Sequence, residues 1–272
     1  MPFCSPPSHP SANQEVPAVG VKVEGLSKNY GSLQVFKNVS FEVQPSEIFV
    51  LMGPSGSGKS VLLRQIVGLE RPTAGRVTID GHDVALEDTR EHVRLGLVFQ
   101  AGALFNSMTV YDNLALYLRE HQMGDEASTK EKVTHALRIL SLEDTARKYP
   151  SDLSGGMKKR VAIARSLVME PQLLLYDEPT SELDPVTSAS ISEIIASLKD
   201  QYRVTSIVVS HDRELALNIA DRIGILMAGE LIFVGNADEL KASKDPRIVD
   251  FLHPKIDLHH PRFKTLENAT TT

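Results

Sequence analysis

The chain has 272 residues and a mass of 29.9 kDa, with 42% hydrophobic and 24% charged residues, values that fit one large globular domain with a sizeable core. Its formal charge of −6 and pI near 5.9 supply no overall attraction to nucleic acid or to anionic headgroups, so no nucleic-acid partner is expected. No apolar run approaches the roughly 20 residues that a bilayer-spanning helix needs, and "VAIARSLVM" is interrupted by Arg165.

The opening "MPFCSPPSHPSANQEVP" is rich in Pro and Ser and lacks Lys and Arg, so it has neither the basic start of a secretory signal nor the Arg content of a transit peptide. Residues 1–19 are read as a mobile extension. Cys4 is the single cysteine, which excludes an intrachain disulfide and fits a reducing compartment. The run "VKVEGLSKNYGSLQVFKNVSFEVQ" alternates apolar and polar residues, clearest at Val39, Phe41 and Val43, and predicts strands of a partly exposed antiparallel sheet.

"EIFVLMG" then predicts a short apolar strand, and "GPSGSGKSVLLRQIVGL" a phosphate-binding loop opening a helix. Gly53, Gly56 and Gly58 allow close backbone approaches that turn successive amides inward around phosphate oxygens. Lys59 reaches the β/γ-phosphates, Ser60 offers a hydroxyl to Mg²⁺, and the helix start faces the anion.

"GRVTIDG" predicts a strand with an Asp-Gly turn, and "LGLVFQ" a buried strand ending at Gln100. A side-chain amide there can ligate Mg²⁺ or orient water, although a lone Gln at a strand end is more often a solvated residue. From Ser107 to Arg147 the apolar spacing of Leu114, Leu118, Val133, Leu137 and Leu140 is helical, a candidate subdomain that Pro150 ends. In "DLSGGMKKRVAIARSLVM", Met157, Val161, Ala164 and Val168 share a helical face, and Lys158, Lys159 and Arg160 cluster just beyond its start. Ser154 is placed as its cap, making a second anion-binding helix end. One nucleotide does not need two such ends, so the second is expected to meet a nucleotide held by another copy.

"LLLYDE" and "TSIVVSH" flank the helical "VTSASISEIIASLKD" as a βαβ unit, whose strand ends mark a ligand crevice. There Asp177 is expected to hold Mg²⁺ and Glu178 to polarise the attacking water. His211 ends the next strand; a lone His is usually structural, but in this position its imidazole can bond a γ-phosphate. "IGILMAGELIFVG" predicts a hairpin turning near Ala228-Gly229, and from about Asp245 the sequence reads as a tail that orders on a partner.

Taken together, these residues resemble the ATP-binding subunits of ABC transporters over about residues 20–240. The resemblance implies an α/β P-loop NTPase of ABC type: a mixed sheet core with an antiparallel β subdomain, an ATP-binding domain over 20–244, a helical subdomain at about 101–168, and a tail at 245–272. Tyr30 matches the aromatic position that stacks on adenine. Gly53, Pro54, Ser55, Gly56, Ser57, Gly58, Lys59, Ser60 and Val61 match the Walker A loop and the residue after it, and Gln100 the Q-loop. Ser154, Gly155 and Gly156 match the signature, "LLLYDE" Walker B, "SELD" the D-loop and His211 the switch histidine. Met157 departs from the commonest Gln of the signature, and Glu182 from the Ala or Gly frequent in the D-loop.

Such a match implies a head-to-tail homodimer with two ATP molecules and Mg²⁺, each ATP held between Walker A of one subunit and the signature of the other. Lys59, Glu178, His211 and Gln100 would then carry the γ-phosphate chemistry. An integral membrane permease would receive the stroke at the cytoplasmic side of the inner (plasma) membrane. More narrowly, "FQAGALFNSMTVYDNLALYLREH" and "LSGGMKKRVAIARSL" resemble the ATPases of Mla/MCE-type lipid transport systems, which implies phospholipid cargo and an MCE-type lipid-binding partner. Three alternatives stay open: the ATPase of an amino-acid or lipoprotein system, a soluble ABC protein of repair or translation, and a small-molecule P-loop kinase, which would need neither "LSGGM" nor the histidine.

Overall fold

The computed structural model describes residues 17–86 and 92–254. A four-stranded antiparallel sheet, in the order β2-β1-β4-β5, joins β1 (Val21–Tyr30), β2 (Leu33–Val43), β4 (Ala74–Ile79) and β5 (His82–Asp83). A six-stranded mixed sheet, in the order β10-β9-β3-β8-β7-β6, joins β3 (Ile48–Met52), β6 (Leu95–Val98), β7 (Leu173–Asp177), β8 (Thr205–Ser210), β9 (Arg222–Met227) and β10 (Glu230–Gly235). Its strands are parallel except for β10, which returns antiparallel on β9 through a turn with positive φ at Ala228 and Gly229. A similar turn at Asp80 and Gly81 joins β4 to β5, as the Asp-Gly pair predicts.

Two cores form because successive residues of a strand face opposite ways. On β3, Ile48, Val50 and Met52 pack with the helical side of the molecule, while Phe49 and Leu51 pack with the antiparallel sheet and with α1 (Lys59–Ile66). Phe41 stacks on Phe49 with centroids 4.9 Å apart, joining the two sheets by an aromatic contact worth about 0.5–1.5 kcal/mol beyond its buried area. β6 is an edge strand with Leu95 and Leu97 half-exposed, which corrects the expectation of a fully buried strand.

The helical side begins with α2 (Val110–Glu120), capped by Thr109, and α3 (Glu126–Ile139), capped by Asp125. Their buried Leu114, Leu118, Val133 and Leu137 meet α4 (Gly155–Leu167), on which Val161 to Ala164 are all buried. Burial on this helix therefore spreads over more than the single face that the spacing predicts. α5 (Pro185–Tyr202) and α6 (Arg213–Ile219) follow β7 and β8. Among the described residues no helix is long and apolar enough to cross a membrane.

At both ends the folded unit includes residues that the sequence reading assigns to an extension or a tail. Val19 is buried and its carbonyl accepts from Thr205 Oγ1 at 2.7 Å, so 17–19 belongs to the folded unit, while the rest of the expected extension, with Cys4, lies outside the described residues. After α7 (Ala237–Lys241), Asp245 caps α8 (Pro246–Leu252), whose Ile248 and Leu252 join the helical core. Proline in the first helical turn and an i, i+4 apolar pair carry that helix. The remainder of the expected tail, 255–272, lies outside the described residues.

Candidate active site

Strand register brings the sequence-predicted residues to one edge of the parallel sheet. Met52 pairs with Ser210, Asp177 with Val209 and Val98 with Tyr176, so Gly53, His211, Glu178 and Gln100 all emerge at the carboxyl ends of β3, β8, β7 and β6. This is the edge where open α/β sheets bind ligands.

The loop from Gly53 to Gly58 opens α1 without a side-chain cap: Gly58 sits at the N-cap with φ 96°. The other seven α-helices described each start on a capping Thr, Asp, Ser or Asn. The first-turn amides of α1 thus keep the positive end of the helix open to an anion. Ser57 Oγ is buried with no hydrogen-bond partner, and Gly56, at φ 81°, faces open space where a side chain would stand. A Cβ on Gly53 would lie 2.1 Å from Leu226 O, so only glycine fits that close approach. Lys59 is buried, and its Nζ donates to Gly53 O at 2.9 Å and Pro54 O at 3.1 Å. Burial pushes the ammonium below its usual pKa, and Glu178 and Asp177 pull it back up. An open helix start, an orphaned hydroxyl and a lysine in one small loop fit a phosphate chain.

Ser60 Oγ donates to Asp177 Oδ1 at 2.7 Å, setting two hard oxygen ligands side by side. Mg²⁺ typically takes one or two such protein oxygens and completes its shell with phosphates and water, so the pair fits this ion. Among the described residues no group of three or more His, Cys, Asp or Glu forms a separate metal cage. Glu178 has a left-handed φ of 50°, and its N–H donates to Val209 O at 2.8 Å. Its Oε2 lies 2.8 Å from His211 Nδ1 and its Oε1 lies 3.7 Å from Lys59 Nζ. The carboxylate is 12% exposed and the imidazole 58%, so Glu178 sits between a buried cation and a ring that reaches solvent. Nδ1 is engaged, which leaves Nε2 for another partner.

A family model described as "ABC transporter" matches residues 36–181. The chain belongs to the ABC transporter family. It is 38% identical over 239 residues to the "Probable ribonucleotide transport ATP-binding protein mkl" of Mycobacterium leprae, covering 86% of this chain and 69% of that protein. It is 41% identical over 225 residues to the "Sulfate/thiosulfate import ATP-binding protein CysA" of Vibrio vulnificus, covering 82% and 65%. Among solved structures it is similar to the dimeric bacterial ABC transporter cassette MJ0796, with TM-score 0.73 and 32% identity over 80% of this chain and 98% of that one. It is also similar to cbiO1 from Clostridium perfringens, part of the cbiONQ transporter complex, with TM-score 0.75 and 30% identity over 86% and 95%. This ABC ATPase is thus the ATP-binding subunit of a transporter.

In the ABC ATPase the signature residues stand apart from the phosphate loop. Ser154 Oγ accepts from Met157 N–H at 3.3 Å, so the serine caps this helix as the sequence predicts. No hydrogen bond links Ser154, Gly155 or Gly156 to residues 53–60 within the described chain. A Cβ on Gly156 would lie 2.5 Å from Thr187 Cγ2, and Met157 packs half-buried against the helical core. Gln100 is exposed, and no hydrogen bond joins its amide to Ser60 or Asp177 among the described residues; the fold fixes its carbonyl instead, which accepts from Lys159 Nζ. Tyr30 is 46% exposed, its Oη donates to Glu70, and Lys28 Nζ lies 4.9 Å from its ring centre. Lys28, Tyr30 and Arg64 hold the Glu70 carboxyl down to about 2.

Two groups escaped the sequence reading. Glu70 carries no pattern that ties it to Tyr30, because they are 40 positions apart. Lys159 was grouped with Lys158 and Arg160 as one basic cluster, yet it is buried and turns inward. No local pattern marks it, because two residues after Met157 it lies about 200° round the helix, away from the face that the apolar spacing predicts to be buried.

Proposed function

We propose that the ABC ATPase binds ATP with Mg²⁺ at the Gly53–Val61 loop, hydrolyses it at Glu178, and powers lipid transport through a membrane permease. The observation that carries the catalytic part is Glu178 held between Lys59 and His211 beside an uncapped helix start. The loop amides and Lys59 take the β/γ-phosphates, and Ser60 and Asp177 would hold Mg²⁺, which offsets phosphate charge and orients the chain, with Gln100 supplying a further oxygen at the same edge. Glu178 accepts a hydrogen bond from the attacking water, and the imidazolium form of His211, a donor at both nitrogens, reaches the γ-phosphate oxygens through its Nε2–H. Tyr30 supplies an exposed aromatic face for adenine, and Pro54 and Ser55 belong to the loop that takes the phosphates.

Ser154, Gly155 and Gly156 are assigned to the nucleotide of a second copy, because among the described residues no hydrogen bond ties them to this copy's loop; similarity to a dimeric cassette supports that arrangement. Replacing Ser154 by alanine is expected to leave ATP affinity of the monomer unchanged and to cost about 1 kcal/mol of stability through the lost cap. Turnover is expected to fall about tenfold, a loss that stability alone does not give. Titration with a fluorescent ATP analogue beside a phosphate-release assay separates the two, and a large loss of monomer binding would sink the trans assignment.

Lipid cargo rests on "FQAGALFNSMTVYDNLALYLREH" and "LSGGMKKRVAIARSL", which resemble the Mla/MCE-type ATPases. The partners would be a permease and an MCE-type protein, and the chain would sit at the cytoplasmic face of the inner membrane. The names of two relatives favour a second reading, an importer of a polar solute such as a ribonucleotide or sulfate. Affinity purification of tagged Glu178→Gln protein from native membranes, with mass spectrometry of proteins and lipids, decides between them. A permease with an MCE-type protein and enriched phospholipid supports the lipid reading; a permease with a solute-binding protein replaces it.

A further inference from the structure

Lys159 is an internal cation with no part in the scheme above. It stands in the second turn of α4, is 7% exposed, and extends its ammonium beneath the catalytic edge. There Nζ donates to Gln100 O, to Glu178 O at 3.3 Å and to Ser181 Oγ at 3.3 Å. One side chain therefore joins four segments: the helix that begins at the signature, the loop after β6, the end of β7 and the start of the D-loop. Ser181 adds to the same knot, because its N–H and Oγ both donate to Glu178 O, at 3.2 and 2.8 Å.

The backbone around this knot is the part of the site least able to hold its own shape. Glu178 and Glu182 are non-glycine residues with left-handed φ of 50° and 64°, so the turn 178–182 needs outside contacts to persist. Glu178 O is the atom those contacts use, and it belongs to the peptide whose Cα carries the carboxylate facing Lys59 and His211. Burial lowers the pKa of Lys159, and the charges of Glu182, Glu178 and Asp177 raise it. Burying a lysine is costly unless its donors are used, and here each of the three has an acceptor.

We propose that Lys159 is a positioning residue that holds the Glu178 turn in catalytic register with the signature helix. It touches neither nucleotide nor water in this role. A shift of the signature helix moves Nζ, and with it the carbonyls of Glu178 and Gln100, so the ammonium ties the residues assigned to a second copy's nucleotide to the chemistry on their own copy. The proposal rests on the ATPase reading above and adds to it a residue which that reading does not use.

The test compares full-length wild type, Lys159→Met and Lys159→Gln. Methionine keeps an unbranched apolar stem of similar reach and removes every donor; glutamine restores two donors without charge. Lys159→Met is expected to lower kcat for ATP about tenfold with KM within about twofold, the pattern of a misplaced catalytic group. Amide hydrogen exchange of 178–184 is expected to rise while that of 160–167 in α4 stays as in wild type. Lys159→Gln is expected to recover most of both. Wild-type kcat and exchange in Lys159→Met would overturn the proposal. So would a uniform rise in exchange with a fall in Tm that Lys159→Gln does not reverse, since that marks a core lysine needed only for folding. A wild-type chain that binds no ATP would overturn the reading beneath it, an outcome distinct from both.

Discussion

Replacing Glu178 by glutamine is expected to lower ATP turnover at least about a hundredfold while leaving ATP affinity within about twofold, the signature of a lost positioned acid or base. Glutamine keeps the length and one acceptor oxygen, so the bond from His211 N–H to the side chain, 3.3 Å in the native protein, can persist. The left-handed turn at Glu178 is set by backbone contacts to Val209 O and from Ser181 N–H, which the substitution does not touch. What disappears is the negative charge 3.7 Å from Lys59 Nζ and the ability to polarise a water. Lys59 would then meet the phosphates without a competing carboxylate, so binding is not expected to weaken. Phosphate release at saturating ATP gives kcat, and titration of the same protein gives the affinity. Turnover near the native level would remove Glu178 from the chemistry and point to another base at the strand edge.

The candidate site's place at the sheet's carboxyl edge was legible in the sequence because each of its residues follows a short apolar strand. A run such as "LLLYDE" states both the buried strand and the polar residues that its end must expose, and parallel register then aligns Asp177, Glu178 and His211 beside Gly53. Contacts that depend on side-chain direction were not legible. Nothing in "MKKR" distinguishes Lys159, which enters the core, from Lys158 and Arg160; the choice is made by the rotation of α4 against the rest of the helical side. The pairing of Tyr30 with Glu70 depends on how the β1–β2 hairpin settles over the end of α1, a tertiary fact with no local pattern. At the carboxyl end the signals were present and outweighed: Asp245, Pro246, Ile248 and Leu252 spell a capped amphipathic turn inside a Pro- and His-rich stretch. Composition over a long window hid a short helix whose apolar pair finds a core.

Replacing Lys59 by methionine is expected to weaken ATP binding about a hundredfold or more, and so to abolish turnover by a different route from Glu178→Gln. The ammonium is buried and donates to two loop carbonyls, Gly53 O and Pro54 O, which shape the cradle from within. Bound phosphate takes the third N–H of the same ammonium, and one such charge-assisted bond at about 3 kcal/mol accounts for a change of that size. Methionine retains the apolar stem, so α1 keeps its packing against the antiparallel sheet and β3. Removing the charge relieves its desolvation but strands Glu178 Oε1 and two carbonyls, terms of opposite sign that leave the ligand-free fold little altered. The measurement is the ATP-dependent rise in thermal stability, which mass action sets at about 2.7 kcal/mol for ligand at a hundred times its Kd. Wild type and Glu178→Gln should both show that rise, and Lys59→Met should show almost none at the same ATP concentration. If Lys59→Met is stabilised as fully as Glu178→Gln, the phosphates are held by the loop amides alone and Lys59 serves only to brace Gly53 and Pro54. The contrast between the two variants therefore separates holding the phosphates, assigned to Lys59, from cleaving them, assigned to the carboxylate 3.7 Å away.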